Sequence, residues 1–285
     1  MIMGANLGTS VTNTLVSIGH IANKEEFKLA FSAGTVLDLF NILAVIIFFP
    51  LEEIFHFLER LSGFFAGWFV GDYDLSVDEL DFVGALTRPL RDLIRNATGF
   101  LPEPYNGLLQ VLIGIAMICF SIYFLGKVLK RLMVGRAREV MNTAIGRGPL
   151  TGVLSGILIT ILMQSSSVTT SMMVPLAGLG VLTLAQIYPF TIGANVGTTI
   201  TSLLAATSVS GPTALPSMQI ALVHLLFNVF AAVLIFFTPF LYRIPLLGSQ
   251  KLAAAASENK LIALAYVLGV FFIIPGIFLG ISVLI

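Results

Sequence analysis

Residues 164–201 read QSSSVTTSMMVPLAGLGVLTLAQIYPFTIGANVGTTIT. This segment combines an amide, small hydroxyls and glycines, and it contains no charged residue. The whole chain is 57% hydrophobic and 11% charged, whereas a soluble domain carries about 25% charged residues. Lipid cannot satisfy the backbone of a polar, glycine-rich segment, so in a membrane chain such a segment usually lines a cavity or a binding site. We therefore expect a polytopic membrane protein organised around residues 164–201.

Charge and cysteine content narrow the class of protein. The formal net charge is zero, which gives no indication of a nucleic-acid partner. Cys119 is the only cysteine, so no intrachain disulfide forms, and we expect this side chain to pack in an apolar run. Residues 1–6 lack the basic and apolar regions of a signal peptide. Because the chain begins inside an apparent repeat, we expect it to be truncated at the N-terminus.

Apolar segments predict an all-α fold of membrane-spanning helices, each of which needs about 20 apolar residues. The predicted spans are residues 29–51, 105–125, 219–242 and 261–285, with broken, polar-rich spans at residues 2–18 and 188–206. We expect four regions along the chain. These are the remainder of a first repeat (1–51), an external loop (52–104), a second repeat (105–242), and a cytoplasmic loop with a C-terminal helix (243–285).

Residues 149–184 have the pattern of a re-entrant hairpin. Both arms are apolar and too short for a full crossing, and Gln164-Ser-Ser-Ser167 lies between them. Loop charges orient the neighbouring segments. Residues 127–147 and 243–260 are basic and are assigned to the cytoplasm, whereas the acidic residues 52–104 and the uncharged residues 207–216 are assigned outside. These assignments alternate correctly only if residues 149–184 enter and leave from the cytoplasm.

Two segments repeat along the chain. Residues 4–12 read GANLGTSVT and residues 193–201 read GANVGTTIT, so Asn6 pairs with Asn195. The tripeptide LFN then recurs, which pairs Asn41 with Asn228. The loop charges place the two copies in opposite directions. That pattern is typical of inverted-repeat transporters, whose site lies between the repeats near the bilayer midplane.

The polar residues of these segments have two open interpretations. The amide and hydroxyls of residues 164–167 offer oxygens to sodium, and their N–H and O–H groups offer donors to an oxyanion, as helix N-termini also do. Alternatively, serine and threonine only stabilise helix packing in lipid. The glycine pairs at positions 4 and 8 and at 193 and 197 either unwind their helices or form small-xxx-small packing motifs.

Asp38 is the single acidic residue within a predicted span. A charge at that depth costs at least about 2.5 kcal/mol unless it is paired, and no lysine or arginine lies in any predicted span. A bound cation is therefore one interpretation, and a protonated or water-exposed carboxyl is the other. The repeat counterpart of Asp38 is the apolar Leu225, so any such cation site is asymmetric. For His224 we expect a hydrogen-bonded core position.

The motifs QSSSVTTS, YPFTIGANVGTTITSLLAA, GANLGTSVTNTLVS and FSAGTVLDLFN resemble the type II sodium-dependent phosphate cotransporter family. The resemblance implies inverted repeats, each with a QSSS hairpin, that bind phosphate and sodium between them. The phosphate residues it implies are Gln164, Ser165, Ser166, Ser167, Asn195, Thr198, Thr199, Asn6, Thr9 and Ser10. The implied sodium residues are Gln164, Ser165, Asp38, Asn41, Asn6, Thr201 and Asn228. Asp38 matches the aspartate that electrogenic members use for an extra sodium ion.

The resemblance has one large departure, because the first QSSS hairpin of the family is not among these residues. The long loop also lacks the cysteine pair of animal members, which suits a bacterial inner-membrane protein. We expect sodium-coupled symport of inorganic phosphate, with sodium as the coupling ion and no cofactor. The alternatives are an inactive fragment and a symporter for another tetrahedral oxyanion such as arsenate. An intramembrane serine hydrolase using Ser166 and His224 is disfavoured, because no G-x-S-x-G elbow is present.

Overall fold

The computed structural model describes residues 1–69, 82–102, 105–132, 148–207, 209, 211–277 and 280. Within these ranges the chain is helical and contains no strand, which confirms the all-α prediction. The helices are α1 (Ile2–Ile18), α2 (Lys24–Phe55), α3 (Phe57–Phe69), α4 (Phe82–Thr98), α5 (Tyr105–Leu132), α6 (Pro149–Met163), α7 (Ser166–Ser171), α8 (Met173–Gly178), α9 (Leu184–Thr207), α10 (Ala214–Phe237), α11 (Pro239–Glu258) and α12 (Lys260–Leu268). A 3₁₀ turn at Gly211–Thr213 precedes α10, and a π-helical segment at Gly269–Ile273 continues α12.

Among the described residues, three helices are long and apolar enough to cross a membrane. They are Lys24–Phe55, Ala214–Phe237 and Lys260–Ile277, and shorter apolar helices occur at Tyr105–Met117 and Pro149–Met163. Together with the composition, these helices confirm a membrane protein. The acidic residues 70–81 and the basic residues 133–147, on which part of the predicted topology depends, lie outside the described residues.

Helix α2 is the long axis on which the other helices pack. Asn23 caps its first turn, since the side-chain oxygen accepts from the amides of Glu25 and Glu26. At 1.5 Å per residue its 32 residues extend about 48 Å. The main apolar core joins α2 to α9, α10 and α11, and its buried aromatic residues are Phe40, Phe48, Tyr188 and Phe227.

Most of the predicted loop at residues 243–260 forms helix α11, and its cytoplasmic position stays a prediction. Ala253 and Ala256 are buried against Phe27 and Phe31 of α2. The sequence LAAAA at residues 252–256 explains the helix, since alanine has the highest helix propensity and its small side chain allows close packing. The loop was predicted from the basic residues of this segment, and its high helix propensity was not considered.

The segments assigned to the cytoplasm from loop charges meet at the N-terminal end of α2. Lys24 pairs with Glu258 at 2.6 Å, and Lys260 lies 3.9 Å from the ring centroid of Phe27. The ring of His20 lies against Gly178, at the end of the predicted hairpin. The sequence assignments and the structure therefore agree on which segments share an end, while the side of the membrane stays a prediction.

Helix α3 and the start of α10, from segments at or beside those assigned outside, meet at the opposite end of α2. Gln219 Nε2 donates to the Glu59 carbonyl oxygen at 3.3 Å. Ala66 of α3 and Met218 of α10 share a buried cluster with Ala206 of α9. The C-terminal end of α2 is thus covered by α3 and by the connection from α9 to α10.

The predicted helix breaks at the two glycine motifs are wrong, because α1 and α9 are continuous through them. In α9 the glycines allow close packing on α6. A Cβ at Gly193 would lie 2.8 Å from Val153 Cα, and a Cβ at Gly197 would lie 2.9 Å from the Ile157 carbonyl oxygen. The packing interpretation is therefore correct for the second copy of the motif.

The first copy of the motif is not packed in this way. Gly4 and Gly8 are exposed, and a Cβ at either position would meet no atom within 4 Å in the part of the chain that the structure describes. The two copies therefore share a sequence but not a packing role.

The chain breaks at Gln164, as predicted for a hairpin tip. Helix α6 ends there with Gln164 in the left-handed region at φ 50°, and α7 begins after the extended residue Ser165. A non-glycine residue with positive φ is uncommon and marks a constrained turn. The path of this turn relative to a membrane, and the inverted relation of the two repeats, stay predictions.

Replacing Gly193 with alanine is expected to destabilise the protein, because the added methyl would overlap the backbone of Val153. Overpacking of this kind costs about 1–3 kcal/mol. Thermal unfolding of the purified protein in detergent measures the effect, and Gly4→Ala is the matched control because its methyl meets no neighbour. Equal melting temperatures for the two variants would contradict the packing described for α6 and α9.

Candidate functional site

Four buried asparagines from four helices meet in the core, and we call them the asparagine network: Asn6 (α1), Asn41 (α2), Asn195 (α9) and Asn228 (α10). Asn228 Oδ1 accepts from the Nδ2 atoms of Asn6 at 3.0 Å and Asn195 at 2.8 Å. Asn195 Nδ2 also donates to Asn41 Oδ1 at 2.9 Å. Asn41 Nδ2 donates to the carbonyl oxygen of Asn6 at 3.1 Å. Each of the four asparagines is therefore hydrogen-bonded to at least one other member of the network.

The members of the network are the two residue pairs that the sequence repeats matched. Asn6 corresponds to Asn195 and Asn41 to Asn228, so each repeat contributes the same two positions. His224 completes the cluster, with Nε2 2.9 Å from Asn6 Oδ1 and its carbonyl oxygen accepting from Asn228 Nδ2 at 3.0 Å. This contact confirms His224 as a hydrogen-bonded core residue.

The network acts as a joint between helices. A buried amide without a partner costs several kcal/mol in an apolar environment, and here the side-chain oxygens of Asn41 and Asn228 accept hydrogen bonds from within the cluster. Amide oxygens are neutral ligands of the kind that a hard cation takes. In this conformation these two oxygens are occupied by N–H donors, so the network holds the four helices together.

Asp38 lies three residues before Asn41 on α2 and is fully buried, at 0% exposure. Its Oδ2 accepts from the Thr14 hydroxyl at 2.8 Å and from the Tyr266 hydroxyl at 3.2 Å. The Ser10 hydroxyl donates to the Leu7 carbonyl oxygen at 2.8 Å and lies near enough to this carboxyl to act on it electrostatically. The other oxygen, Oδ1, has no hydrogen-bond partner among the described residues. We call this arrangement the Asp38 pocket.

Burial decides one of the alternatives left by the sequence. A water-exposed carboxyl is wrong, because Asp38 has no exposed surface. Within the described ranges, no lysine or arginine forms an ion pair with Asp38. A carboxylate oxygen without a partner, among hydroxyl oxygens, is an arrangement that a cation or a proton would complete.

Sequence reasoning missed two partners of Asp38. Thr14 had a signal, because Asn6, Ser10, Thr14 and Ser17 recur at helical spacing along α1 and are all buried. Tyr266 is 228 residues from Asp38 in the chain, and its local sequence is an ordinary apolar helix. Only the packing of α12 beside α1 and α2 brings its hydroxyl to the pocket.

The turn at residues 164–167, which we call the serine turn, lies against α1. The Ser167 hydroxyl lies 3.4 Å from the Thr9 carbonyl oxygen, so two of the predicted phosphate residues meet. Ser165 Oγ caps α7 by accepting from the Val168 amide at 3.3 Å. Thr170 Oγ1 lies 2.8 Å from Asn13 Oδ1 and fixes α7 to α1. All four residues of the serine turn are half-buried.

The hydroxyls of the glycine motifs bond mainly to their own helices. Thr198 donates to the Ala194 carbonyl oxygen, Thr199 to that of Val196, and Thr201 to that of Thr198. In the same way, the Thr9 hydroxyl donates to the Asn6 carbonyl oxygen and the Ser10 hydroxyl donates to that of Leu7. A hydroxyl whose proton is used in this way offers lone pairs rather than a donor. In this conformation these hydroxyls suit a cation better than an anion.

The predicted site residues therefore divide among three places along α1. Asn6 is in the asparagine network, Ser10 is in the Asp38 pocket, and Thr9 adjoins the serine turn. Gly34 allows α1 to lie close to α2, because a Cβ there would be 2.8 Å from the Asn13 carbonyl oxygen. Ser10, which was predicted to bind phosphate, lies near Asp38 and donates to the Leu7 carbonyl oxygen, and its role in phosphate binding stays a prediction.

Comparison with known proteins gives one family and several relatives. A family model described as Na+/Pi-cotransporter matches residues 117–284. Sodium-dependent phosphate transport protein 2A of Rattus norvegicus is 28% identical over 99% of this chain and 54% of its own length. Protein 2B of Homo sapiens is 27% identical over 99% of this chain and 53% of its length. Protein 2C of Rattus norvegicus is 29% identical over 99% of this chain and 59% of its own length.

The chain thus spans between 53% and 59% of the length of these curated relatives. No solved structure matches it.

Replacing Asn228 with alanine is expected to destabilise the protein, because Asn6 and Asn195 would each lose the oxygen that accepts from their Nδ2. Leaving buried donors unsatisfied costs about 1–3 kcal/mol each. Thermal unfolding in detergent measures the loss, and Gln219→Ala on the same helix is the control, since its amide makes one long contact at 3.3 Å. A melting temperature for Asn228→Ala equal to that of the control would contradict the role of the network.

Proposed function

The chain belongs to the Na+/Pi-cotransporter family, and from that membership we propose that it carries out sodium-coupled symport of inorganic phosphate. The observation that carries the proposal is the position of two unlike polar sites on neighbouring residues of α1. Thr9 adjoins the serine turn, and Ser10 faces the buried carboxyl of Asp38. A site for a cation and a site for an oxyanion thus share one helix.

Sodium is the proposed occupant of the Asp38 pocket. The carboxylate supplies one negative charge, and the hydroxyls of Ser10, Thr14 and Tyr266 supply neutral oxygens. Hard cations prefer such oxygen ligands, and a cation would compensate a charge that has no basic partner. One net charge moved across the membrane with each cycle contributes about 2.3 kcal/mol per 100 mV.

Phosphate is the proposed ligand of the serine turn. Gln164 offers an amide, and Ser165, Ser166 and Ser167 offer hydroxyls that can donate to phosphate oxygens. The Ser165 oxygen accepts from a backbone amide, which leaves its proton free to donate. Because these residues are half-buried, a ligand can reach them without unfolding the core.

Coupling between the two ligands follows from their shared helix. A displacement of α1 that changes the distance from Thr9 to the serine turn also changes the distance from Ser10 and Thr14 to Asp38. Two ligands that both favour one position of α1 would each raise the affinity of the other, as thermodynamic linkage requires.

Two other interpretations receive less support. The hydrolase alternative requires His224 as a base near Ser166, but His224 Nε2 is already engaged by Asn6 Oδ1 at 2.9 Å. A symporter for arsenate or another tetrahedral oxyanion uses the same donors, so uptake measurements decide between these anions.

We place the protein in the plasma membrane, and a bacterial inner membrane is the proposed location.

Purified protein in proteoliposomes is expected to take up labelled phosphate when a sodium gradient is imposed and not when potassium replaces sodium. Gln164→Ala is expected to lower uptake at least about tenfold, because loss of a hydrogen bond to a charged group costs about 1.5–3 kcal/mol. Gln219→Ala is the amide control. Unchanged uptake in Gln164→Ala would remove the serine turn from the site, and preferential uptake of arsenate would reassign the substrate.

Asp38→Asn tests the sodium pocket separately, because the amide can still accept from Thr14 and Tyr266. We expect uptake to become less sensitive to membrane potential, with a Hill coefficient for sodium lower by about one, since one charged ligand is lost. Uptake with potentials set by potassium and valinomycin measures both quantities. Glu258→Gln, at an exposed carboxyl, is the control, and an unaltered sodium and voltage dependence in Asp38→Asn would rule the pocket out.

A further inference from the structure

A cavity of about 680 Å³ lies between the N-terminal part of α2, the turn before α9, and α11. Lys28 and Leu29 line it from α2, Leu182 and Thr183 from the turn, and Leu247 and Lys251 from α11. This volume falls within the usual range of ligand pockets, about 300–1,000 Å³. Lys28 precedes Asp38 by ten residues of the same helix, which is about 15 Å of helix length. The cavity is therefore separate from the Asp38 pocket.

Two lysines give the cavity a positive charge. In the described part of the chain, no carboxylate lies within ion-pair distance of Lys28 or Lys251. The acidic residue at this end of α11, Glu258, is paired with Lys24 at 2.6 Å. Glu258 also attracts Lys28 electrostatically, but among the described residues neither ammonium group is held in a direct ion pair, so both can contact an anionic group that enters the cavity.

The remaining walls of the cavity are mostly apolar. Leu29 is 45% exposed and Leu247 is 52% exposed, and in a membrane chain exposed leucines contact lipid. Leu182 and Ala253 are buried and form the floor. A free phosphate ion would leave most of this apolar surface uncovered, whereas a phosphate carried by a hydrocarbon chain matches both parts of the cavity.

We propose that this cavity binds an anionic phospholipid, with its phosphate at Lys28 and Lys251 and an acyl chain along Leu29 and Leu247. Basic pockets between membrane helices on the cytoplasmic side are suited to such headgroups. The segments around the cavity are those assigned to the cytoplasm from loop charges. The inference concerns lipid binding and does not depend on phosphate transport.

Native mass spectrometry of the purified protein with added phosphatidylglycerol tests the proposal. The double variant Lys28→Gln, Lys251→Gln is expected to weaken binding about thirtyfold, which is about fivefold for each lysine at an interface. Each single variant is expected to weaken binding about fivefold, whereas Arg243→Gln, which removes one positive charge of α11 outside the cavity, is expected to bind as the unaltered protein does. Ala254→Phe, which narrows the cavity without changing its charge, is expected to weaken binding as well.

Three results would overturn the proposal. The first is equal binding of phosphatidylglycerol by Lys28→Gln, Lys251→Gln and Arg243→Gln, each tested singly, with thermal unfolding showing that all three are folded. The second is equal binding of phosphatidylcholine and phosphatidylglycerol by the unaltered protein. The third is complete displacement of the lipid by inorganic phosphate at an equal concentration, which would identify the cavity as a site for free phosphate.

Discussion

Buried amides that are satisfied only by one another fix the arrangement of this protein's core. Asn228 accepts from Asn6 and Asn195, and Asn195 also donates to Asn41, so four helices meet in one set of hydrogen bonds. In an apolar interior no water replaces a lost partner, and an unsatisfied amide costs several kcal/mol. A one-residue slip of any of the four helices would remove its asparagine from the cluster. The network therefore fixes the register of α1, α2, α9 and α10 relative to one another.

Helix α1, held in that register, contributes residues to two adjacent sites. Its 17 residues place Asn6 in the network. About one turn later Thr9 adjoins the serine turn and Ser10 lies near Asp38, and about two turns after Asn6 the Thr14 hydroxyl donates to Asp38. The oxygens around Asp38 suit a cation, and the amide and hydroxyls of the serine turn suit an oxyanion. The same short helix contacts both sites, which is the physical basis for the proposed coupling of sodium to phosphate. The relatives named as sodium-dependent phosphate transport proteins are about twice as long as this chain.

The sequence predicted those features that depend on local polarity. The repeats identified Asn6, Asn41, Asn195 and Asn228, and the unpaired charge identified Asp38. The helix break at Gln164 also followed from its polar neighbours. Glycine, in contrast, permits both unwinding and close packing, so the sequence alone did not show that Gly193 packs on α6 within a continuous helix. The contact of Tyr266 with Asp38 depends on how distant helices pack. The sequence analysis predicted a loop where helix α11 forms, because it gave the basic charges of this segment more weight than the helix propensity of its alanines.

We propose that the serine turn and α1 form one phosphate site whose occupancy depends on sodium. Cys119 is the only cysteine, so Ser167→Cys in a Cys119→Ser background carries a single thiol at the turn. The most direct measurement is the rate at which a membrane-impermeant thiol reagent labels this cysteine. We expect phosphate with sodium to slow labelling several-fold, and phosphate with potassium to leave the rate unchanged. A labelling rate that does not respond to phosphate in the presence of sodium would contradict the account.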